Sequence, residues 1–241
     1  MITFLRPRSR ARKLLFEHIP KCGGTATRGY FERHYAGSRT YQVYGRRPEE
    51  CAGFKRLPVA RRHAYDLVIG HGAHELLDWT APGTIAATVL REPVDRILSH
   101  YYYVREKPEH YLHAAVAGGD LSPGAYVAAG LSDELRNHMV CRFLGVRPEA
   151  AERDPARAVE GAWDVLNHRY RIVGIAERLD AAMDAIRTAV GFDGRFSGER
   201  TNCTRSRRPA TQLSAEDRRL IEQHNALDIE LYRRVAAAAP R

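Results

Sequence analysis

The segment from His18 to Thr25, HIPKCGGT, contains residue types that can bind a phosphate or sulfate group. Gly23 and Gly24 allow the backbone to approach an anion closely, and a helix that starts after them would direct its free N–H groups at that anion. Lys21 and Thr25 add a positive charge and a hydroxyl donor. A tight strand-to-helix turn without a ligand would also explain the glycine pair, so the segment alone leaves both interpretations open.

A second segment with similar capability runs from Leu90 to Ser99, LREPVDRILS. Arg91 follows a predicted strand, and Ser99 lies about two turns into a helix that starts at Pro93. Both side chains could reach one anion beside the glycine segment. An ion-paired arginine and a surface serine are the ordinary roles for each residue alone, so it is the combination of the two segments that favours an anion site.

Apolar runs of strand length alternate with helical patterns along the chain,. Strands are predicted over 13–19, 41–44, 65–70, 84–90 and 170–176. Helices are predicted over 25–35, 93–107, 133–144, 155–168, 179–190 and 214–238. This alternation predicts an α/β fold with three layers, α/β/α, around a central, mostly parallel sheet. In such folds ligands bind at the carboxyl ends of the strands, where both segments lie.

The composition is that of one globular domain of 241 residues, with 44% apolar and 28% charged residues,. We interpret 1–241 as a single domain with a basic arm over 1–12, a polar and basic loop over 192–212 and a closing helix over 214–238. No apolar run approaches the roughly 20 residues of a membrane span. The apolar core of a signal peptide is also missing, so we expect a cytoplasmic protein with free cysteines.

The net charge of +9 favours an anionic partner but does not identify it,. One alternative is a nucleotide-dependent kinase. Its GxxxxGK[ST] loop is absent, and the predicted strands do not close with an aspartate that would hold magnesium, so we expect no metal site. Another alternative is a non-catalytic basic protein that binds nucleic acid or other polyanions, for which strong salt dependence would be expected.

Two longer segments, HIPKCGGTATRGYF and LREPVDRILSHYYY, resemble the 5′-phosphosulfate loop and the 3′-phosphate motif of carbohydrate-type sulfotransferases. That family contains the heparan sulfate 2-O-sulfotransferases and their bacterial relatives. The later segments NHMVCR, YRIVGIAE and ALDIELYRRV are also similar to parts of those relatives. The resemblance implies a P-loop-like fold and transfer of the sulfuryl group of 3′-phosphoadenosine 5′-phosphosulfate (PAPS) to a hydroxyl of a saccharide, glycolipid or small metabolite, without a metal or nucleic acid.

The resemblance also implies roles for individual residues. Lys21 would contact the bridging and sulfate oxygens, while Arg91 and Ser99 would hold the 3′-phosphate. The cradle for the 5′-phosphate would consist of Gly23, Gly24, Thr25, Ala26 and Thr27. A comparable segment of the family covers the adenine and the 3′-phosphate, so Thr204 and Arg205 are further candidates. An unstructured basic surface loop is the alternative for this segment.

The acceptor hydroxyl must lose a proton during transfer, and a histidine near neutrality is the natural base. His71 and His74 follow the strand predicted over 65–70, where relatives place a histidine base. The spacing leaves the choice open. We favour His71 because it stands at the strand end, whereas His74 is expected to start the next helix. The segment HELLD from His74 resembles a zinc motif but lacks its second histidine.

Overall fold

The structure is a computed structural model that describes residues 12–45, 47–118, 121–193, 196 and 210–240. Its centre is a five-stranded sheet in the order β2-β3-β1-β4-β5, with every described pair of strands parallel. The strands are β1 (Leu14–Glu17), β2 (Thr40–Val43), β3 (Leu67–Gly70), β4 (Ile85–Leu90) and β5 (Ile172–Ile175). The predicted α/β fold with a parallel sheet is confirmed.

Helices connect and cover these strands. The α-helices of the described residues are α1 (Gly24–His34), α2 (Arg47–Arg56), α3 (Val59–Arg62), α4 (Pro93–Glu106), α5 (His113–Ala117), α6 (Pro123–Ala128), α7 (His138–Leu144), α8 (Pro148–Ala151), α9 (Pro155–Arg169), α10 (Leu179–Val190), α11 (Ala215–His224) and α12 (Ala226–Ala238). Short 3₁₀ helices span Ala73–Trp79, Asp133–Leu135, Ala176–Arg178 and Ala210–Gln212. No described helix combines the length and the apolar character of a bilayer-spanning segment.

The helices lie on both faces of the sheet because successive strand residues point in opposite directions. In β1, Leu14 and Phe16 pack in one cluster with residues of α1 and α10. Leu15, between them, packs on the other face with residues of α2 and the 3₁₀ helix at 73–79. Farther along that second face, Ala86 of β4 packs with α7, α9 and α12. The result is a helix–sheet–helix sandwich.

Two asparagines interrupt helices that the sequence predicts as continuous. Asn137 has φ 43°, in the left-handed region, and its side chain accepts a hydrogen bond from the Leu227 N–H at 3.0 Å. It therefore separates the 3₁₀ helix at 133–135 from α7. Asn225 divides the predicted closing helix into α11 and α12, and its Nδ2 donates to the Leu135 carbonyl at 3.0 Å. Side-chain to backbone bonds of this kind replace the helical ladder.

The strand order creates a crevice between β1 and β4. From β1 the chain passes to β2 on one side of the sheet, and it later returns to β4 on the other side. Such a reversal leaves the carboxyl ends of the two adjacent strands free of a crossing connection, which is where α/β proteins bind ligands. Lys21 follows β1 and Arg91 follows β4, so the topology brings the two predicted motifs to the same edge.

Candidate active site

A cavity of about 750 Å³ lies at this edge of the sheet, a volume in the usual range for small-molecule sites,. It is bounded by the segment after β1, the start of α1, the strand ends of β3 and β4, and α4. The predicted site residues that line it are Lys21, Gly23, Gly24, Thr25, Ala26, His71, Arg91 and Ser99. Thr27 and His74 do not line it, and Thr204 and Arg205 lie outside the described residues.

The structure gives a geometric reason why positions 23 and 24 are glycine, in addition to the close approach of the backbone to an anion. Gly23 has φ +83°, in the left-handed region, and caps the start of α1. At Gly24 an added Cβ would lie 1.3 Å from Nε2 of His18, so the imidazole of His18 rests directly on the glycine backbone. The first turn of α1 has no acidic side chain, and its N-terminal residues border the cavity. A helix start of this kind presents unpaired N–H groups and a partial positive charge.

Lys21 and Arg91 connect the two motifs. Lys21 has φ 68°, a left-handed conformation that is unusual for a side-chain-bearing residue,. Arg91 Nη1 donates to the Lys21 carbonyl at 3.0 Å, and Arg91 Nη2 lies 3.4 Å from the Asp95 carboxylate. The Lys21 ammonium lies 3.7 Å from the centre of the Tyr103 ring. Both cations are therefore held at the cavity wall by contacts within the protein.

Two hydroxyl-bearing candidates have different surroundings. Ser99 is almost fully buried on α4 yet lines the cavity. Thr27 is fully buried, and its Oγ1 donates to the Gly24 carbonyl at 2.9 Å. The Thr27 hydroxyl thus stabilises the first turn of α1 from inside, and its side chain is not exposed to a ligand.

His71 has a fixed tautomer. Its Nδ1 lies 2.6 Å from the backbone carbonyl of His18, and because a carbonyl only accepts, Nδ1 must carry the hydrogen,. In the neutral ring Nε2 then has a free lone pair. Burial lowers the pKa of His71 from its ordinary value, which keeps the ring neutral at physiological pH,. The side chain is therefore equipped to accept a proton at the cavity.

His74 has a different environment. Its Nδ1 lies 2.9 Å from the hydroxyl of Tyr170, and the two rings are stacked at 12°. Burial, followed by the positive charge of Arg169, lowers the pKa of His74 to about 4. The imidazole thus packs against Tyr170 and Phe143 on the helical side of the loop, so of the two predicted bases His71 is the one at the cavity.

Glu17 positions the loop between the two histidines and was not found from the sequence. It is fully buried at the end of β1, and its carboxylate accepts hydrogen bonds from the N–H groups of Gly72 at 3.2 Å and His74 at 2.7 Å. Nε of Arg142 lies 3.5 Å from the same carboxylate. The available signal was a charged residue inside the otherwise apolar run LLFE.

His18 also lines the cavity without having been predicted to do so. Its ring centre lies 4.4 Å from that of His71, and its Nδ1 lies 3.0 Å from the hydroxyl of Tyr44. Burial lowers the pKa of His18 well below its ordinary value, with smaller contributions from the charges of His71, Arg28 and Lys21. A neutral imidazole therefore separates the glycine cradle from His71. Its position directly after a strand was the signal that could have identified it.

Further lining residues come from α4 and the loops beyond it. Tyr101 and Tyr102 are buried, whereas Tyr103 borders the cavity together with His110. His113, which could have formed a metal pair with His110, instead has Nδ1 2.8 Å from the Val104 carbonyl. Within the described ranges, no cluster of three or more His, Cys, Asp and Glu side chains could hold a metal ion.

The buried histidines predict a pH-dependent stability. Burial is the main cause of the lowered pKa values of His18, His74, His100 and His138. The unfolded chain binds protons at these rings near pH 6.5, whereas the native protein does not, so the unfolding free energy must decrease as the pH falls. We expect the loss to begin near pH 6.5 and to continue towards pH 4, the approximate pKa of His74. Each unit of lowering corresponds to about 1.4 kcal/mol.

Urea denaturation at pH 7.5 and at pH 5.0 measures this effect. The His74→Gln variant, which keeps a polar partner for Tyr170 but cannot be protonated, should lose less stability between the two pH values than the parent protein. Equal unfolding free energies of the parent protein at both pH values would contradict the assignment of neutral buried histidines.

Comparisons with known proteins identify the family and the fold of the chain. The model of the sulfotransferase family matches residues 8–233 of the chain. The crystal structure of mouse sulfotransferase SULT7A1 complexed with PAP is similar at a TM-score of 0.51 and 10% identity, covering 95% of this chain and 89% of that one. A sulfotransferase from Alicyclobacillus acidocaldarius has a TM-score of 0.48 and 17% identity, with 93% and 96% covered. No curated protein sequence matches the chain. The likeness to the mouse structure shows a shared fold.

Proposed function

We propose that this chain, which belongs to the sulfotransferase family, transfers the sulfuryl group of PAPS to a hydroxyl group of a saccharide, glycolipid or small metabolite. The proposal is carried by one observation: the Lys21 and Arg91 segments meet at a cavity that also contains His71, and a hydrogen bond joins them directly. The narrower resemblance to heparan sulfate 2-O-sulfotransferases stays a prediction, because the matching family is broader.

The residues at the cavity fit such a donor. Gly24 is buried beneath the His18 ring, which leaves no room for a side chain, and it lines the cavity at the start of α1, where helix N–H groups can bind an anion,. Lys21 and Arg91 supply two positive charges after two neighbouring strands, and both line the cavity to which we assign the donor's phosphates. Ser99 adds a hydroxyl next to Arg91 on the same wall.

The donor supplies an activated sulfuryl group whose bond to the bridging oxygen breaks as the acceptor oxygen forms its own bond to sulfur. His71 would take the acceptor's proton on Nε2, because Nδ1 is held as a donor by the His18 carbonyl,. Lys21 would stabilise the negative charge that builds on the departing bridging oxygen, which is a larger gain in the transition state than in the ground state. Arg91 and the start of α1 would bind and orient the phosphates.

Binding of the desulfated product tests the donor half of the proposal. We expect 3′,5′-ADP to raise the melting temperature. At a hundredfold excess over its Kd, a ligand that binds only the native protein adds about 2.7 kcal/mol to the free energy of unfolding. Arg91→Ala should remove most of this shift, since Arg91 is assigned to the 3′-phosphate. Differential scanning fluorimetry with 3′,5′-ADP and with 5′-AMP, which lacks that phosphate, provides the measurement.

Arg105→Ala is the matched control, because Arg105 is an exposed arginine of α4, the helix that follows Arg91, and does not line the cavity. Its melting shift should equal that of the parent protein. Equal shifts with 3′,5′-ADP and 5′-AMP in the parent protein would show that Arg91 does not read a 3′-phosphate, and the absence of any shift would overturn the proposed donor.

A further inference from the structure

We propose that the part of the cavity formed by Tyr103, His110, Tyr111 and Glu134, here called the acceptor wall, binds a saccharide ring that carries no anionic group. The inference rests on the proposed function, since it identifies the acceptor of the same site. It narrows the acceptor to an uncharged saccharide, whereas a protein of net charge +9 would be expected to prefer a polyanion,.

Three aromatic rings form one side of the acceptor wall. The ring of His110 is stacked on that of Tyr111, with centres 4.8 Å apart, and meets the ring of Tyr103 edge-on at 5.9 Å. Tyr111 is 68% exposed and Tyr103 36%, although both border the cavity. The Lys21 ammonium lies 3.7 Å from the centre of the Tyr103 ring, so Tyr111 provides most of the exposed ring surface of the acceptor wall. Aromatic faces with a polar edge pack well against the C–H face of a sugar ring.

The aromatic group is held in place rather than loosely attached. The hydroxyl of Tyr111 lies 2.9 Å from Oγ of Ser132, which joins the loop after α4 to the loop after α6. Ser132 also caps the 3₁₀ helix at 133–135 by accepting a hydrogen bond from the Glu134 N–H at 3.3 Å. The exposed ring and the backbone of Glu134 are thus connected through a single serine.

Glu134 provides an acceptor of hydrogen bonds at the cavity. Its carboxylate lies 3.4 Å from Nε2 of His100, whose Nδ1 is 3.2 Å from the hydroxyl of Tyr126. The hydrogen bond from His100, aided by the positive charge of Arg96, holds the pKa of Glu134 well below its usual range despite burial. An ionised carboxylate only accepts, so it bonds the hydroxyl hydrogens of a saccharide and repels a second carboxylate or a sulfate.

The positive charges of the cavity are already used. Of the lysines and arginines in the part of the chain that the structure describes, Lys21 and Arg91 are those that line this cavity, and both are assigned to the donor. The acceptor wall itself adds the Glu134 carboxylate and the imidazole of His110, whose pKa is lowered chiefly by burial. An anionic acceptor would therefore meet the Glu134 carboxylate without gaining a cation, and the repulsion between the like charges would weaken its binding.

A matched pair of probes separates the two kinds of acceptor. The first is the disaccharide of glucuronic acid and N-acetylglucosamine, and the second is the same disaccharide with the carboxyl group converted to a primary amide, which adds no hydroxyl. We expect transfer of ³⁵S from labelled PAPS to the amide to have a kcat/KM at least about tenfold higher than transfer to the acid. Equal or better use of the acid would overturn the proposal.

Variants of the acceptor wall test the assignment to these residues. Glu134→Gln should reduce the preference for the amide disaccharide over the acid. It should also raise the KM for the amide by about tenfold and change kcat much less, because a hydrogen bond to a charged group is lost. Tyr111→Ala should raise KM similarly, while Tyr111→Phe, which keeps the ring and loses the bond to Ser132, should recover most of the affinity. Asp133→Asn and Trp79→Ala, an adjacent carboxylate and an exposed ring outside the cavity, are the controls.

The remaining outcomes are also decisive. If Glu134→Gln lowers kcat and leaves KM unchanged, Glu134 acts on the proton instead of on binding, and the acceptor wall is wrongly assigned. If 3′,5′-ADP binds but neither disaccharide accepts sulfate, the saccharide inference fails while the proposed donor stands. If 3′,5′-ADP does not bind, the proposed function fails first and the inference with it.

Discussion

Replacement of His71 by alanine is expected to reduce turnover by roughly 10²- to 10⁴-fold, the usual contribution of a general base. The reason is local: Nδ1 of His71 is tied to the His18 carbonyl, so Nε2 is the atom that can take the acceptor's proton. Affinity for 3′,5′-ADP should stay near that of the parent protein, because the donor is assigned to the ends of β1 and β4. Steady-state kinetics and calorimetric titration measure the two quantities.

The pH dependence of kcat/KM is an independent test of the role of His71. Burial lowers the pKa of His71, so the neutral, active form persists below pH 6.5 and the acidic limb of kcat/KM should lie below that value,. As the pH falls through the pKa, His71 becomes protonated and turnover is lost. His71→Asn, whose amide can still donate to the His18 carbonyl, should be as inactive as the alanine variant and should lack this limb.

His74→Ala is the comparison that decides between the two predicted bases. His74 is stacked on Tyr170 away from the cavity, so its removal should lower stability more than kcat. Loss of turnover in His74→Ala with a nearly unaffected His71→Ala would transfer the role of base to His74 and contradict the tautomer argument.

Replacement of Lys21 by glutamine is the second change with a large expected effect, a loss of roughly 10²- to 10³-fold in turnover. This is the range found when a preorganised group that stabilises developing negative charge is removed. The loss should appear mainly in kcat, because the charge on the bridging oxygen is greater in the transition state than in the bound donor. Rapid-quench measurement of a single turnover isolates the chemical step.

Two variants make the Lys21 prediction specific. Lys55→Gln removes a partly exposed lysine that does not line the cavity and should leave turnover unchanged. Lys21→Arg keeps the charge but spreads it over a planar group. Compared with Lys21→Gln, it should therefore recover more of the affinity for 3′,5′-ADP than of the turnover. A kcat of Lys21→Gln within about threefold of the parent value would rule out the assigned role of Lys21.

The sheet was predictable because its strands are buried on both faces. Runs such as YDLVIG and TIAATVL are continuous and apolar, which is typical of parallel strands covered by helices,. The short strand Thr40–Val43 at the sheet edge was predicted within one residue at each end. Helix interruptions were harder to predict, since Asn137 and Asn225 break helices through bonds to residues about 90 positions away. No local pattern contains such a partner.

The candidate site likewise contains residues that the sequence could place and residues that it could not. Arg91 and His71 follow strands directly and Lys21 lies in the short segment after β1, so sequence and topology together could place them. Glu17 and Glu134 depend on contacts made after folding, with Arg142 and with His100 respectively. A carboxylate in isolation has no sequence signal that separates a structural role from a binding role. Thr204 and Arg205 stay predictions, as they lie outside the described residues.

The bond from Arg91 to the Lys21 carbonyl has a consequence for how a ligand meets this protein. Lys21, which has a left-handed conformation, is held through its carbonyl by a hydrogen bond from Arg91, a residue that follows a different strand. The Lys21 and Arg91 segments are thus ordered when the chain folds. Little backbone entropy is then left to be lost when the donor binds. Folding, rather than ligand binding, assembles the cradle.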